Sequence, residues 1–101
     1  METIYTRKAK DDLQGIRDYY GPRSPQALGN IVADITSIVD DIPFSIAKGR
    51  KTPHEDVWEK LSPKYRYVIP YCIFEGNLYV LRVYDQTRGE LDYDEILDLE
   101  N

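Results

Sequence analysis

Apolar side chains at Ala9, Leu13, Ile16 and Tyr20 recur at steps of four, three and four, a spacing that gathers them on one face of a helix. The pattern predicts a first helix from Lys8 to Tyr20, with Asp11 and Asp12 near its positive N-terminal end and Gly21-Pro22 as its stop. A second stripe, Leu28, Ile31, Ile35, Ile38 and Ile42, follows the same rhythm. Ser24-Pro25 supplies a cap and a first-turn proline for this helix, and Pro43 ends it near Asp41. Two antiparallel helices joined by a tight loop are expected.

Elsewhere the alternation changes to that of strands. Glu2 to Thr6 places Ile4 and Tyr5 between threonines and reads as a short strand. Residues 44–56 show no period and read as a loop. Val57 to Leu61 reads as a strand whose inward face is open, since Val57 and Trp58 point opposite ways. Tyr65 to Tyr84 reads as a β-hairpin turning at Gly76-Asn77. With Glu75 opposite Leu78, this register pairs Phe74 with Tyr79, Cys72 with Leu81, Tyr71 with Arg82 and Ile69 with Tyr84. Val68, Cys72, Phe74, Tyr79, Leu81 and Val83 then share a face expected to pack on the helices. Tyr65, Tyr67, Tyr71, Arg82, Tyr84 and Arg88 fall on the other, where phenols and guanidiniums suit a partner, a base or a phosphate. Pro70 lacks an amide hydrogen and so requires an edge or a bulge. The last dozen residues, Glu90 to Asn101, are acidic with interspersed leucines and an isoleucine, suiting a short helix or a tail ordered by a partner.

The chain is 101 residues long and 42% hydrophobic, enough for one core and therefore one domain, 1–101. Eighteen acidic residues against 13 basic ones set a field that repels nucleic acid, so any RNA contact has to be local. No apolar run nears the roughly 18 residues of a membrane span, nor is there a signal-peptide core, and a cytoplasmic location without membrane contact is expected. One cysteine, Cys72, and one histidine, His54, leave no zinc site, and no cofactor is expected. Cys72 reads as a small core side chain, Trp58 as a packing residue, and His54 and the Gly49-Arg50-Lys51 patch as ordinary loop surface.

Several strings, in order, resemble the RelE/ParE superfamily of bacterial toxins: Ala9-x-x-Asp12-Leu13-x-x-Ile16-x-x-Tyr19, Ile42-Pro43, Gly49-Arg50, Tyr65-Arg66 and Leu78 through Tyr84. The resemblance covers most of the chain and implies an α+β fold, with an N-terminal strand and a helical hairpin packed on a curved, mainly antiparallel sheet. It implies the toxin of a type II toxin-antitoxin module of the plasmid-stabilisation kind. Such a toxin is held by a cognate antitoxin and reaches operator DNA only indirectly, through that antitoxin.

Two mechanisms come with the superfamily. The RelE-like branch cleaves mRNA on the ribosome with lysines, arginines and a tyrosine, and the positions that align with that set are Lys60, Arg66, Arg88 and Tyr93. Trp58 stands where a second lysine is expected, and Asp85, Glu90, Asp92 and Asp94 crowd the same end, where carboxylates repel a scissile phosphate. The ParE-like branch lacks those residues and poisons DNA gyrase by binding. The long helical hairpin and the depleted basic site resemble the ParE-like branch more. The expected binding residues are then Tyr65, Tyr67, Tyr71, Arg82, Tyr84 and Arg88, with no catalytic residue.

Overall fold

Thr6 begins the helical hairpin. Its hydroxyl accepts from the Ala9 amide, capping the first helix, and donates to the Leu81 carbonyl at 3.0 Å. One buried side chain thereby starts the helix and ties it to the sheet. The computed structural model describes residues 1–45 and 48–101; the remaining two positions of the expected 44–56 loop lie outside that description.

Strand β1 (Thr3–Tyr5) is followed by α1 (Arg7–Arg23) and α2 (Pro25–Asp41), then a 3₁₀ turn at Ile42–Phe44. The sheet follows as β2 (Arg50–Lys51), β3 (Trp58–Ser62), β4 (Tyr67–Phe74), β5 (Asn77–Val80) and β6 (Tyr84–Asp85), with a second 3₁₀ turn at Gln86–Arg88. Its order is β1-β5-β4-β3-β2, with β6 also paired to β4. Among the described residues only β1 runs parallel to its neighbour, β5; the other pairs are antiparallel.

The first helix passes the expected stop. Gly21 and Pro22 lie in its last turn, where the proline removes a single amide donor to the carbonyl four residues back and only one more residue has to follow. Asp11 and Asp12 lie beyond the first turn, because the helix opens at Arg7. A single residue, Ser24, ends α1 and caps α2 by accepting from the Ala27 amide. The second helix ends at Asp41 as its stripe predicts, burying Ile31, Ile35 and Val39. Each such aliphatic side chain contributes roughly 1.5–3 kcal/mol on burial.

The hairpin turns one residue earlier than its sequence suggests. Glu75 and Gly76 both have positive φ, 49° and 80°, and Phe74 pairs with Asn77. These are the angles of a type I′ turn, in which a non-glycine residue pays a local penalty. Asn77 is left for another task, since its side chain accepts from the Glu2 amide at the β1 edge. Cys72 consequently faces Tyr79, not Leu81, and Tyr71 faces Val80.

A two-residue shift preserves which side chains share a face, but the faces themselves are the reverse of expectation. Tyr67, Ile69, Tyr71, Leu78 and Val80 are buried on the helix side, in contact with residues such as Ile35, Val39 and Ile42. Cys72 and Leu81 lie on the other side with Val57 and Ile96. Phe74, expected in the core, is 50% exposed. The C-terminal residues are neither helical nor free of the domain: they fold back as an irregular cover on this second side, with Ile96 buried. Both faces of the hairpin are therefore apolar, and alternation alone does not decide which one meets the helices.

Pro70 sits mid-strand in β4 and needs the predicted interruption. Between the Val68–Tyr84 and Tyr71–Val80 pairs, two residues of β4 oppose the three residues Leu81, Arg82 and Val83. The extra residue bulges the ladder where proline has no hydrogen to donate. The Pro70 carbonyl still accepts from the Leu81 amide at 2.8 Å. Past the bulge the faces switch, so Val83 joins the helix-side core and Tyr84 pairs with Val68.

Gly49 has a reason to be glycine. Its amide donates to the Tyr71 hydroxyl at 2.9 Å, and a Cβ there would run into the carbonyl of Glu59. Gly49→Ala is expected to cost ~2–4 kcal/mol, measured as a lowered urea midpoint; an unchanged midpoint would show that the β2–β3 approach is looser than described.

Candidate functional site

The bulge that accommodates Pro70 also organises a cleft. Val83 would have an unpaired amide, and it donates to Asp12 Oδ2 of α1 at 2.9 Å. The Arg82 guanidinium grips the same carboxylate twice, Nε to Oδ2 at 2.6 Å and Nη2 to Oδ1 at 2.9 Å. This fork geometry and the partial burial of both side chains, 27% and 17% exposed, make the pair stronger than a surface ion pair. The bond to Asp12 raises the Arg82 pKa further above its already high ordinary value.

Around this pair lies a cleft of ≈ 470 Å³ between α1 and the β5–β6 segment. Asp11, Asp12 and Tyr19 line it from the helix, and Tyr67, Arg82, Tyr84 and Arg88 from the sheet. Arg82 lies over the Tyr84 ring at 5.4 Å, and the Tyr84 hydroxyl donates to the Arg88 carbonyl at 3.2 Å. The Arg88 guanidinium sits on an exposed 3₁₀ turn and has no hydrogen bond or ion pair among the described residues. Burial, then the proximity of Tyr20 and of the Asp85 carboxylate, push the Tyr67 phenol up to about 12. This phenol stays protonated in any physiological setting.

The six residues expected to form one outer binding face therefore divide. Tyr67, Arg82, Tyr84 and Arg88 meet in the cleft, Tyr67 at its buried floor. Tyr71 is 2% exposed, with its hydroxyl held by Gly49, and cannot serve as an outward surface residue. Tyr65 packs half-buried against the helix-side core. Reversal of the faces explains both departures. Asp12, placed by the sequence only near the helix N-terminus, is the carboxylate of the cleft that Arg82 and Val83 hold.

The nuclease-like set does not assemble. Lys60 pairs with Ile69, on the helix side of the sheet. Tyr93 lies on the opposite side, where its hydroxyl donates to Glu59 at 2.6 Å. Arg66 occupies the turn before β4, exposed and with φ of 61°, while Arg88 belongs to the cleft. Glu59 is almost wholly buried and shares its carboxylate between Tyr93 and Arg50 Nε. Burial and then the hydrogen bond to Glu59 push the Tyr93 phenol up to about 12, the wrong direction for a group that must give up its proton near neutrality.

The family pattern described as ParE toxin of type II toxin-antitoxin system, parDE, matches residues 3–89. The chain belongs to the ParE toxin family. A solved chain of the chromosomal ParDE TA system from P. aeruginosa superposes with a TM-score of 0.74 at 24% identity, covering 84% of this chain and 95% of that one. That likeness speaks for the fold: helical hairpin, mixed but mainly antiparallel sheet, α+β class. No curated protein matches. The ParE match bears out the branch that the long hairpin and depleted basic site favoured. Among the described residues no group of His, Cys, Asp and Glu is placed to hold a metal ion, and no helix is long and apolar enough to cross a membrane.

Two tests follow for this ParE-family site. Asp12→Ala strands the Arg82 charge and the Val83 amide together, and is expected to lower stability by ~2–4 kcal/mol, read from chemical denaturation; a loss below about 0.5 kcal/mol would make the pair an ordinary surface contact. The raised Tyr67 and Tyr93 phenols are protonated in the folded chain where the unfolded chain has begun to ionise. Their stabilising contribution is complete below pH 10 and is lost as pH rises from about 10 to 12. Thermal melts across that window are expected to show a smaller fall for Tyr67→Phe than for the unaltered chain.

Proposed function

We propose that this ParE-family toxin acts by binding and not by chemistry: it stalls DNA gyrase, is neutralised by a cognate protein antitoxin, and works in the cytoplasm where gyrase resides. The observation that carries the reading, beside the family match, is the separation of the nuclease-like residues. Lys60 and Tyr93 lie on opposite faces of the sheet, and Tyr93 shares a buried carboxylate. In-line cleavage of RNA requires a base, an acid and positive charge converging on one phosphate. Here a carboxylate occupies the place where such a phosphate would meet Tyr93.

Binding is the better use of what is present. The cleft is rimmed by aromatic rings and by Arg88, whose guanidinium is uncommitted among the described residues, a composition enriched at protein interfaces. Ile73 at 52% and Phe74 at 50% exposure on the sheet, and Phe44 at 85% after α2, add apolar surface available to a protein partner.

Production of the chain alone in bacteria is expected to arrest growth, with relaxed plasmid DNA and unaltered mRNA ends. Arg88→Ala is expected to weaken supercoiling inhibition by roughly tenfold or more, as truncation of an interface arginine does, without changing the melting temperature. Cut transcripts with intact supercoiling would overturn the reading in favour of the ribosome-dependent nuclease.

A further inference from the structure

We propose that the sheet face opposite the helices is a docking surface for an extended, acidic peptide segment with one aliphatic anchor. Residues 95–101 are its built-in occupant, displaced when a protein partner presents a segment of the same chemistry. The proposal rests on reading the chain as a toxin restrained by a partner protein, and adds where and by what chemistry that partner docks.

The surface has an apolar centre and a basic rim. At the centre Val57, Cys72 and Leu81 are each at most 3% exposed, and the deeply buried side chain that closes over them is Ile96, with Leu99 of the same segment packed half-buried beside it. Along the rim, the opening turns of α1 supply Arg7, Lys8 and Lys10. The Arg7 amide donates to the Glu100 carbonyl at 2.6 Å, and its guanidinium pairs with the Glu100 carboxylate at 3.0 Å. Lys8 reaches the Glu95 carbonyl at 3.3 Å and the Asp98 carboxylate at 3.8 Å, and Lys10 reaches the Asn101 carbonyl at 3.0 Å. Residues 95–101 carry three carboxylates and no basic residue, and two of the three, Asp98 and Glu100, pair with this rim.

The occupant is built to leave. It adds no strand to the sheet and forms no helix, so its backbone lacks the ladder bonds that lock a strand in place. One side chain is deeply buried; Arg7 and Glu100 are 66% and 63% exposed, Lys8 and Asp98 42% and 40%, and exposed pairs of this kind hold weakly and screen with salt. The segment also lies past residue 89, where the family match ends. A strap joined to the domain by covalent chain re-forms without a concentration penalty, so a partner segment has to outcompete a high effective concentration. Binding by such a partner is thereby graded by the strap.

The test uses full-length protein and a labelled synthetic peptide of residues 90–101, read by fluorescence anisotropy. Ile96→Asp removes the anchor of the built-in segment, and this variant is expected to bind the peptide at least tenfold more tightly than the unaltered chain does. Adding Lys8→Glu and Lys10→Glu to that variant is expected to abolish at least tenfold of the gain. No binding by an Ile96→Asp chain with native circular dichroism, or equal binding by both chains, would overturn the proposal. Should the variant not fold, hydrogen exchange on the unaltered chain decides. Amides of 95–101 are expected to exchange far faster than those of β4, and exchange of both together, by global unfolding, would refute a displaceable strap. None of these readouts depends on toxicity, so failure of gyrase inhibition and failure of the docking surface are separately visible.

Discussion

A proline in the middle of a central strand is the constraint around which this domain is arranged. Pro70 has strands on both sides, β3 through the Glu59 pair and the β5–β6 run through its own carbonyl. The missing hydrogen could not be tolerated in a continuous ladder, so the opposing run bulges by one residue. A bulge in a buried sheet leaves backbone groups that need other partners. Both come from the start of the helical hairpin: Thr6 donates to the Leu81 carbonyl and Asp12 accepts from the Val83 amide. The docking of α1, the position of Arg82 and the cleft between helix and sheet all descend from that one accommodation.

Parts of this arrangement were legible in the sequence because they are local. The helix stripes from Ala9 to Tyr20 and from Leu28 to Ile42 need only a 3.6-residue period, and Ser24-Pro25 needs only capping chemistry. The requirement for an interruption at Pro70 is likewise a property of one residue. What stayed hidden depended on distant chain. The side of the hairpin facing the helices was misassigned because both sides are apolar, and the second is covered by a segment that arrives from the C-terminus, Ile96 over Cys72 and Leu81. Tyrosines read as outward because they carry a polar end, yet Tyr71 is buried with that end bonded to the Gly49 amide. Asp12 gave no sign of its role, since one carboxylate in a run of polar helix residues looks solvated until the bulge beneath it is known. The turn was displaced by a residue for a similar reason, as Asn77 is occupied by the Glu2 amide just before β1.

The placement of charge bears on the two kinds of toxin chemistry more sharply than the count of charges does. Arginines are present in the right part of the chain for anion binding, but two of them are committed to carboxylates: Arg82 to Asp12 and Arg50 to Glu59. A guanidinium held in a bidentate fork has its field neutralised at short range and offers little to an incoming phosphate. Phenols could move protons only if their pKa values were lowered toward neutrality. Tyr67 and Tyr93 move the other way, because burial and adjacent carboxylates both disfavour the phenolate. The same features that would spoil a nuclease suit a rigid binding surface, where fixed rings and a few exposed charges limit the entropy lost on association.

Stability and recognition in this domain therefore draw on the same elements. The cleft exists because α1 must reach the bulge, and its walls are rigid because Asp12 is held at three points by Arg82 and Val83. The opposite face is apolar because β4 is central and both its sides need cover, and in this chain the cover is an acidic segment held at one deep point and several shallow ones. Helices locked by buried contacts cannot yield to a partner without unfolding the domain, whereas a strap held mainly by exposed pairs can open locally while the sheet stays intact. A partner that brings its own anchor and carboxylates would replace that cover without exposing the core to water. The uneven strength of the two layers thus follows from the sheet's topology, and it leaves one face fixed and the other exchangeable.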